Sequence, residues 1–127
     1  MSTIQQITKI NDNQEIYQDF LDSHFKKEIT TEVLISKHGI SKYYIRRCKS
    51  YVRGKEKLAY AHETFSQPQS NPSFEKFKKE IDNLTLSGDP IIVNKVSQET
   101  KLDHETVRSC LCYYAGLYND LNWLKFK

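Results

Sequence analysis

Basic side chains recur along one short stretch of this chain, at a spacing that suits contact with phosphates and base edges. The stretch holds four cations separated by four, three and four residues: Lys42, Arg46, Lys49 and Arg53. On a helix this spacing places all four on one side. No acid is interleaved between Lys42 and Lys55, whereas an ordinary solvated helix carries both signs. The stretch is therefore predicted to contact a polyanion.

Two short helices joined by a tight turn are needed to position these cations. Thr30 or Thr31 can cap the first helix, Gly39 supplies the left-handed residue that ends it, and Ser41 caps the second. The second helix carries an apolar stripe on its other side, formed by Tyr44, Ile45, Cys48, Tyr51 and Val52. It either continues through residues 55–62 or breaks at the glycine at position 54, because glycine costs about 1 kcal/mol inside a helix. An extended wing over residues 58–65 is the alternative.

The same pattern recurs about sixty residues later, as expected of a repeated supersecondary unit. The matched positions are the helix anchors, the turn hydrophobe and the cap: Ile29 with Ile91, Leu34 with Val96, Ile40 with Leu102, Ser41 with Asp103, Ile45 with Val107, Arg46 with Arg108, Cys48 with Cys110 and Tyr51 with Tyr113. A helix is predicted before each copy, carrying Tyr17 and Phe20 or Phe74 and Phe77. The sequence thus predicts an all-α fold of two tandem three-helix units, residues 1–63 and 73–127, joined by a Pro-containing linker at 64–72.

The second copy resembles the helix-turn-helix DNA-binding superfamily. Its anchors stand where that superfamily places hydrophobes, and residues 106–108 match the Thr-Val-Arg run common in recognition helices; the anchors are Val96, Leu102, Val107 and Leu111. In that superfamily the exposed early residues of the second helix, the recognition helix, read base edges. By position, the resemblance implies base contacts from Ser41, Lys42, Tyr43, Arg46, Arg47 and Ser50 in the first copy. In the second copy it implies them from Asp103, His104, Glu105, Arg108, Ser109 and Cys112.

Charge is unevenly distributed between the copies. Residues 25–62 carry ten Lys and Arg against three acids, a net charge of +7, whereas residues 1–24 sum to −3 and residues 63–127 to −1. The first copy is therefore predicted to supply most contacts with phosphates, which cations bind without regard to sequence. The residues predicted to hold phosphates are Lys37, Lys49, Arg53, Lys55, Lys57 and, in the second copy, Lys101.

Catalytic and metal-binding patterns are absent from the sequence. It has no glycine-rich phosphate loop and no ordering of Ser, His and Asp, or of Cys and His, that suggests a nucleophile. The three cysteines have no metal-ligand spacing and are interpreted as reduced thiols of an intracellular protein, in the cytoplasm, nucleoid or nucleus. No apolar run approaches the length of a membrane span. We therefore predict no enzyme, metal, cofactor or membrane contact.

The two ends of the chain differ in composition. Residues 1–12 are polar and are predicted to be frayed or loosely packed. The C-terminal residues 117–127 include Trp123 and are too apolar for a free tail. They are expected to seal the core, to form a short hairpin about Asn119 and Asp120, or to provide a contact for a second copy or a protein partner. The glycine at position 116 is expected to end the preceding helix.

These observations favour a sequence-specific protein that binds double-stranded DNA, as a small transcription regulator of the kind that phages and mobile elements carry. Two alternatives use the same helices differently. One is an adaptor that binds proteins through its helix-turn-helix units. The other is a DNA-packaging or replication-initiation factor that recruits an enzyme to a site.

Overall fold

The computed structural model describes residues 2–58, 77–83 and 91–127. Within these ranges the chain is helical and forms no strand, so the all-α prediction is confirmed. The elements are α1 (Thr3–Asn11), α2 (Gln14–Phe25), α3 (Thr31–His38), α4 (Lys42–Lys55), α5 (residues 77–83), α6 (Val93–Thr100), α7 (His104–Leu117) and a 3₁₀ turn at Leu121–Leu124. The predicted linker at 64–72 and Phe74 lie outside the described ranges.

The N-terminal segment forms a helix, so the prediction of a frayed end was wrong. Ser2 caps α1 in a capping box with Gln5, which satisfies two backbone donors at the helix start. Ile7 and Ile10 lie one turn apart and are fully buried. The polar residues between them form the outer face of the helix, which is why composition alone gave the wrong prediction.

The segments α3–α4 and α6–α7 have matching backbones. Thr31 corresponds to Val93 and Lys55 to Leu117, so each helix boundary recurs at an offset of 62 residues. Gly39 ends α3 at φ 64° and ψ 27°, and Lys101 ends α6 at φ 61° and ψ 28°. A left-handed conformation is easy for glycine and strained for lysine, so the second turn is the costlier one.

The two long helices, α4 and α7, run side by side in the same direction. In their N-terminal halves Arg47 of α4 bonds Glu105 of α7, and their last turns meet at two glycines. A Cβ on Gly54 would lie 2.0 Å from the backbone oxygen of Tyr113, and one on Gly116 would lie 2.2 Å from that of Tyr51. At an offset of 62 residues, Gly54 corresponds to Gly116 and Tyr51 to Tyr113, so each contact is the equivalent of the other. The helix pair therefore has an internal two-fold relation.

The core is shared between the two halves of the chain. One apolar cluster lies among α5, α6 and α7 and includes Phe77, Val96 and Leu111. The other lies among α1 to α4, yet it also contains Cys112, Ala115 and Leu124 from the second half: its N-terminal members are Ile7, Ile10, Ile16, Phe20, Leu34, Ile40, Ile45, Cys48, Tyr51 and Val52. Helix α7 therefore belongs to both clusters.

The C-terminus closes this core without forming a hairpin. After α7 the chain makes a turn at Asn119, enters the 3₁₀ turn, and pairs Phe126 with Ile91 in a single parallel bridge. Trp123 stacks on buried Tyr114 with ring centroids 5.1 Å apart and packs against both clusters. The hairpin prediction was wrong because Leu124 is buried and Trp123 and Phe126 pack against the core clusters, in place of the alternation of a hairpin.

Two helix ends also differ from expectation. α4 passes through Gly54 and ends at Lys55, so the continuation over residues 56–58 is not helical, and residues 59–62 lie outside the described ranges. α7 passes through Gly116 and ends at Leu117. Both glycines serve the close approach of the two helices instead of ending them. Within the described part of the chain, no helix is long and apolar enough to cross a bilayer.

Candidate nucleic-acid interface

One side of α4 is exposed near the helix start and partly covered towards its end, and it carries the cations singled out above. Lys42 and Arg46 are exposed, and Lys49 and Arg53 are half-buried along the same side. At 1.5 Å of rise per residue, the four span about 16 Å. The opposite side holds Ile45, Cys48, Tyr51 and Val52, which are all buried. We call the set Lys42, Arg46, Lys49 and Arg53 the α4 stripe.

The partners of the α4 stripe are mostly neutral groups. Nζ of Lys49 donates to Oγ1 of Thr31 at 3.0 Å, and Nη2 of Arg46 donates to Oγ1 of Thr106 at 3.3 Å. Within the described ranges, no carboxylate oxygen lies within 4.0 Å of the charged nitrogens of Lys42, Arg46 or Lys49. Their charge is therefore not cancelled by ion pairing at short range.

The inner end of the stripe places the cations Lys49 and Arg53 close together, beside a neutral His24. Nε of Arg53 donates to Nδ1 of His24 at 3.1 Å, which requires the neutral form of that histidine. Burial and the charge of Arg53 lower the pKa of His24, and the same two causes lower the pKa of Lys49. Like charges raise the local potential here, which favours an anionic partner.

Arg47 is buried and paired, so its side chain is not placed to reach a base edge as predicted. It is 4% exposed and pairs in bidentate fashion with Glu105, with both N–O distances 2.9 Å. Its third nitrogen donates to Oγ1 of Thr3 at 2.8 Å. Burial alone would lower the pKa of Arg47, but hydrogen bonds to Glu105 and Tyr43 outweigh it and raise the pKa. Arg47 therefore joins α1, α4 and α7.

The second predicted recognition helix, α7, is a core helix. Its residues are buried from Thr106 to Gly116, apart from Arg108. Ser109 and Cys112 are fully buried, and Ser50 of α4 is 2% exposed, so the base contacts predicted for these three are wrong. The resemblance assigns residues by their position in one unit, and it does not show that α4 covers α7 in the assembled chain.

Three further predicted base-reading residues, His104, Arg108 and Asp103, have polar partners within the second half. Nε2 of His104, which is exposed, lies 3.2 Å from Oδ1 of Asn94. Arg108 pairs with Glu105 at 3.4 Å. Asp103 caps α7 through Thr106, whose hydroxyl lowers the pKa of that carboxyl. None of these groups extends the α4 stripe.

The other predicted phosphate ligands are scattered over the surface. Lys37 pairs with Asp19 at 2.9 Å and with Glu15 at 3.4 Å, so its charge is locally balanced. Nζ of Lys55 donates to Asn11 at 3.2 Å. Exposed positions are also found for Ser41, Lys57 and Lys101. The structure thus brings together the α4 stripe and leaves Lys37, Lys55, Lys57 and Lys101 apart from it.

Metal-binding and thiol chemistry find no support in the described ranges. No group of three or more His, Cys, Asp or Glu side chains is arranged to hold a metal ion there. Cys48, Cys110 and Cys112 are all buried, and none of them takes part in a disulfide. Burial raises the pKa of Cys48 to about 12 and that of Cys112 well above its ordinary value, so neither forms a reactive thiolate near neutral pH.

In comparisons with known proteins, no protein family model, curated protein or solved structure matches the chain.

Proposed function

We propose that this protein binds double-stranded DNA in a sequence-specific manner, as a small transcription regulator, and that α3 and α4 form its single reading unit. The observation that carries the proposal is the α4 stripe. Four cations share one helix side, and within the described ranges no carboxylate oxygen lies within 4.0 Å of the charged nitrogens of Lys42, Arg46 or Lys49. The region around them, residues 25–62, carries a net charge of +7.

The position of each cation along α4 suggests its role. Lys42 and Arg46 lie near the helix start, which is the end that a recognition helix presents to base edges. The guanidinium of Arg46 has the fork geometry that recognises guanine in the major groove. Lys49 and Arg53 lie deeper, beside α3 and α2, where phosphates of the flanking backbone would be met.

The second unit supports the first and does not act as a second reader. Successive major grooves on one face of a duplex are about 34 Å apart. α4 and α7 are in backbone contact at Gly54 and Gly116, so they cannot enter two such grooves together. A single copy of the chain would therefore recognise one short half-site, and a longer site would require a second copy.

Selection from a randomised duplex pool at fixed salt, followed by sequencing, tests the proposal. We expect one short motif to be enriched. Arg46→Ala should abolish preference at one or two positions of that motif, and Lys49→Ala should weaken binding to all sequences and flatten the salt dependence by about one counterion. Lys95→Ala, which removes an exposed lysine of α6, is the matched control and should change neither.

An unenriched pool with folded protein would exclude sequence-specific recognition and favour the adaptor alternative. Exposed Ile92, Tyr118 and Leu121, at 43%, 45% and 41%, are apolar side chains of the second half that such an adaptor could use. A packaging or replication factor would share the DNA contact, so it would enrich a motif as well.

A further inference from the structure

Tyr43 is exposed to solvent, and its ring is held in place by the neighbouring side chains of Arg47 and Tyr44. The residue is 58% exposed at the start of α4, between Lys42 and the rest of the α4 stripe. The Arg47 guanidinium carbon lies 4.4 Å from the centre of its ring, on one face. The ring of Tyr44 meets it nearly at right angles, with centroids 5.0 Å apart. One face of the Tyr43 ring is therefore seated on a cation, which leaves the outer face for a ligand.

The support under this ring extends into the second half of the chain. Arg47 is held by two hydrogen bonds to Glu105 and one to Thr3, so its guanidinium plane has little freedom. Glu105 stands in the first turn of α7, and α7 is fixed against α4 by the contacts at Gly54 and Gly116. A carboxylate of the second unit thus determines the orientation of an exposed ring on the first.

We propose that the outer face of Tyr43 contacts a nucleobase, and that Arg47 and Glu105 are positioning residues that hold the ring for this contact. The inference rests on the DNA-binding function proposed above and assigns the second unit a part in it. A thymine 5-methyl group in the major groove is the apolar base feature that an aromatic ring meets there. Because the ring is already ordered, binding loses little side-chain entropy.

A double-mutant cycle on the selected duplex separates positioning from general stability. Tyr43→Ala should weaken binding about 5- to 100-fold, the range for one base contact, whereas Tyr43→Phe keeps the ring and should stay within about 3-fold of wild type. Glu105→Gln should weaken binding of the wild-type background about 3- to 10-fold and add nothing once Tyr43 is alanine. Tyr118→Ala, which removes an exposed tyrosine of the second half, should have no effect.

The outcomes separate the two proposals. Wild-type affinity for Tyr43→Ala would overturn the base contact, and an equal effect of Glu105→Gln in both backgrounds would overturn the positioning role. If Glu105→Gln does not fold, the pair Tyr43→Ala and Tyr43→Phe still decides the base contact, since that side chain is on the surface.

Replacing thymine by uracil throughout the selected duplex should reproduce the loss seen with Tyr43→Ala, and unchanged affinity would overturn the methyl contact. A pool in which wild-type protein enriches nothing would defeat the proposed function itself.

Discussion

The segments α3–α4 and α6–α7 have the same helix lengths and turn geometry, but they differ in which side chains are exposed. Their helices have equal lengths, and each turn has a left-handed residue at the equivalent position, Gly39 or Lys101. Their long helices end in equivalent backbone hydrogen bonds, from Glu56 to Val52 in one and from Tyr118 to Tyr114 in the other. Yet one side of α4 is open, whereas α7 is buried over most of its length.

The difference lies in the side chains at equivalent positions. The α4 stripe corresponds, at the offset of 62, to His104, Arg108, Leu111 and Ala115. Leu111 and Ala115 are fully buried, in different core clusters. Two cations of the first half are thus replaced by core residues in the second. The equivalent backbone contacts at Gly54 and Gly116 determine how the two halves pack together. The side chains determine which of the two long helices keeps an exposed face for a partner.

The largest expected effect tests the contact that the two halves share. Gly54→Ala and Gly116→Ala each place a methyl group against the backbone of the opposite helix, which no side-chain rotation can relieve. We expect each to cost about 3 kcal/mol or more in the free energy of unfolding, at the upper end of overpacking effects. Chemical denaturation measures this. Similar losses at the two sites support the two-fold relation, and a loss below about 1 kcal/mol at either would contradict it.

A second comparison uses the equivalent arginines. Arg46→Ala should weaken binding to the selected duplex by about 1–3 kcal/mol, because its guanidinium is proposed to reach a base. Arg108→Ala should leave binding unchanged within about 0.5 kcal/mol, because that side chain pairs with Glu105 in the second half. Titration of a labelled duplex at fixed salt measures both. Equal losses would mean that both halves touch DNA.

A third comparison concerns acid stability. Hydrogen bonds from Lys37 and His38 lower the pKa of Asp19 in the folded chain below its ordinary 3.8. The stabilisation is therefore present above pH 3.8 and is lost as the pH falls through the lower folded pKa. Asp19→Asn should cost about 1–2 kcal/mol at pH 7 and less at the acid end.

Asp103 provides the matched variant in the second half. Its pKa is also lowered, chiefly by the neutral hydroxyl of Thr106, and asparagine caps helices as well as aspartate does. Asp103→Asn should therefore cost less than Asp19→Asn at pH 7. Thermal denaturation between pH 3 and pH 7 compares them, and the reverse order would show that the first half does not depend on its charged partners.

The smallest effect concerns the two turns. Lys101→Gly gives the second half the residue that Gly39 provides in the first, and it should stabilise the chain by about 0.5–1 kcal/mol. Gly39→Ala, where a Cβ would meet no atom within 4 Å, should lose a similar amount through backbone strain alone. Denaturation midpoints measure both changes. A destabilising Lys101→Gly would mean that the lysine side chain makes a compensating contact.

The sequence predicted the features that depend on neighbouring residues. The cap at Ser41 and the left-handed Gly39 were predicted, and Thr30 is one of the two caps proposed for α3, because each is determined within one helical turn. The 62-residue correspondence was also visible, since equivalent anchors recur in it. The stripe on α4 followed from its spacing, and its side of the helix is open in the structure.

The contacts between the halves were not predictable from local patterns. Arg47 lies two positions from apolar Ile45 and looks like a surface residue in α4 alone, but its partner Glu105 is 58 residues away. Ser109 and Cys112 were placed on an exposed face because the pattern of one unit does not show what the other unit covers. The same is true of Gly54 and Gly116, whose role is defined by each other's backbone.

The presence of Leu124 in the N-terminal core cluster has a consequence for synthesis of the chain. Ile7, Ile10 and Phe20 pack in a cluster that Cys112, Ala115 and Leu124 help to complete. At about 5–20 residues per second, a ribosome needs about 3–13 s to extend the chain from position 58 to position 124. Over that interval the nascent N-terminal helices expose the apolar surface that α7 and the 3₁₀ turn later cover. A stalled nascent chain ending near residue 100 should therefore be digested by protease far faster than the released protein.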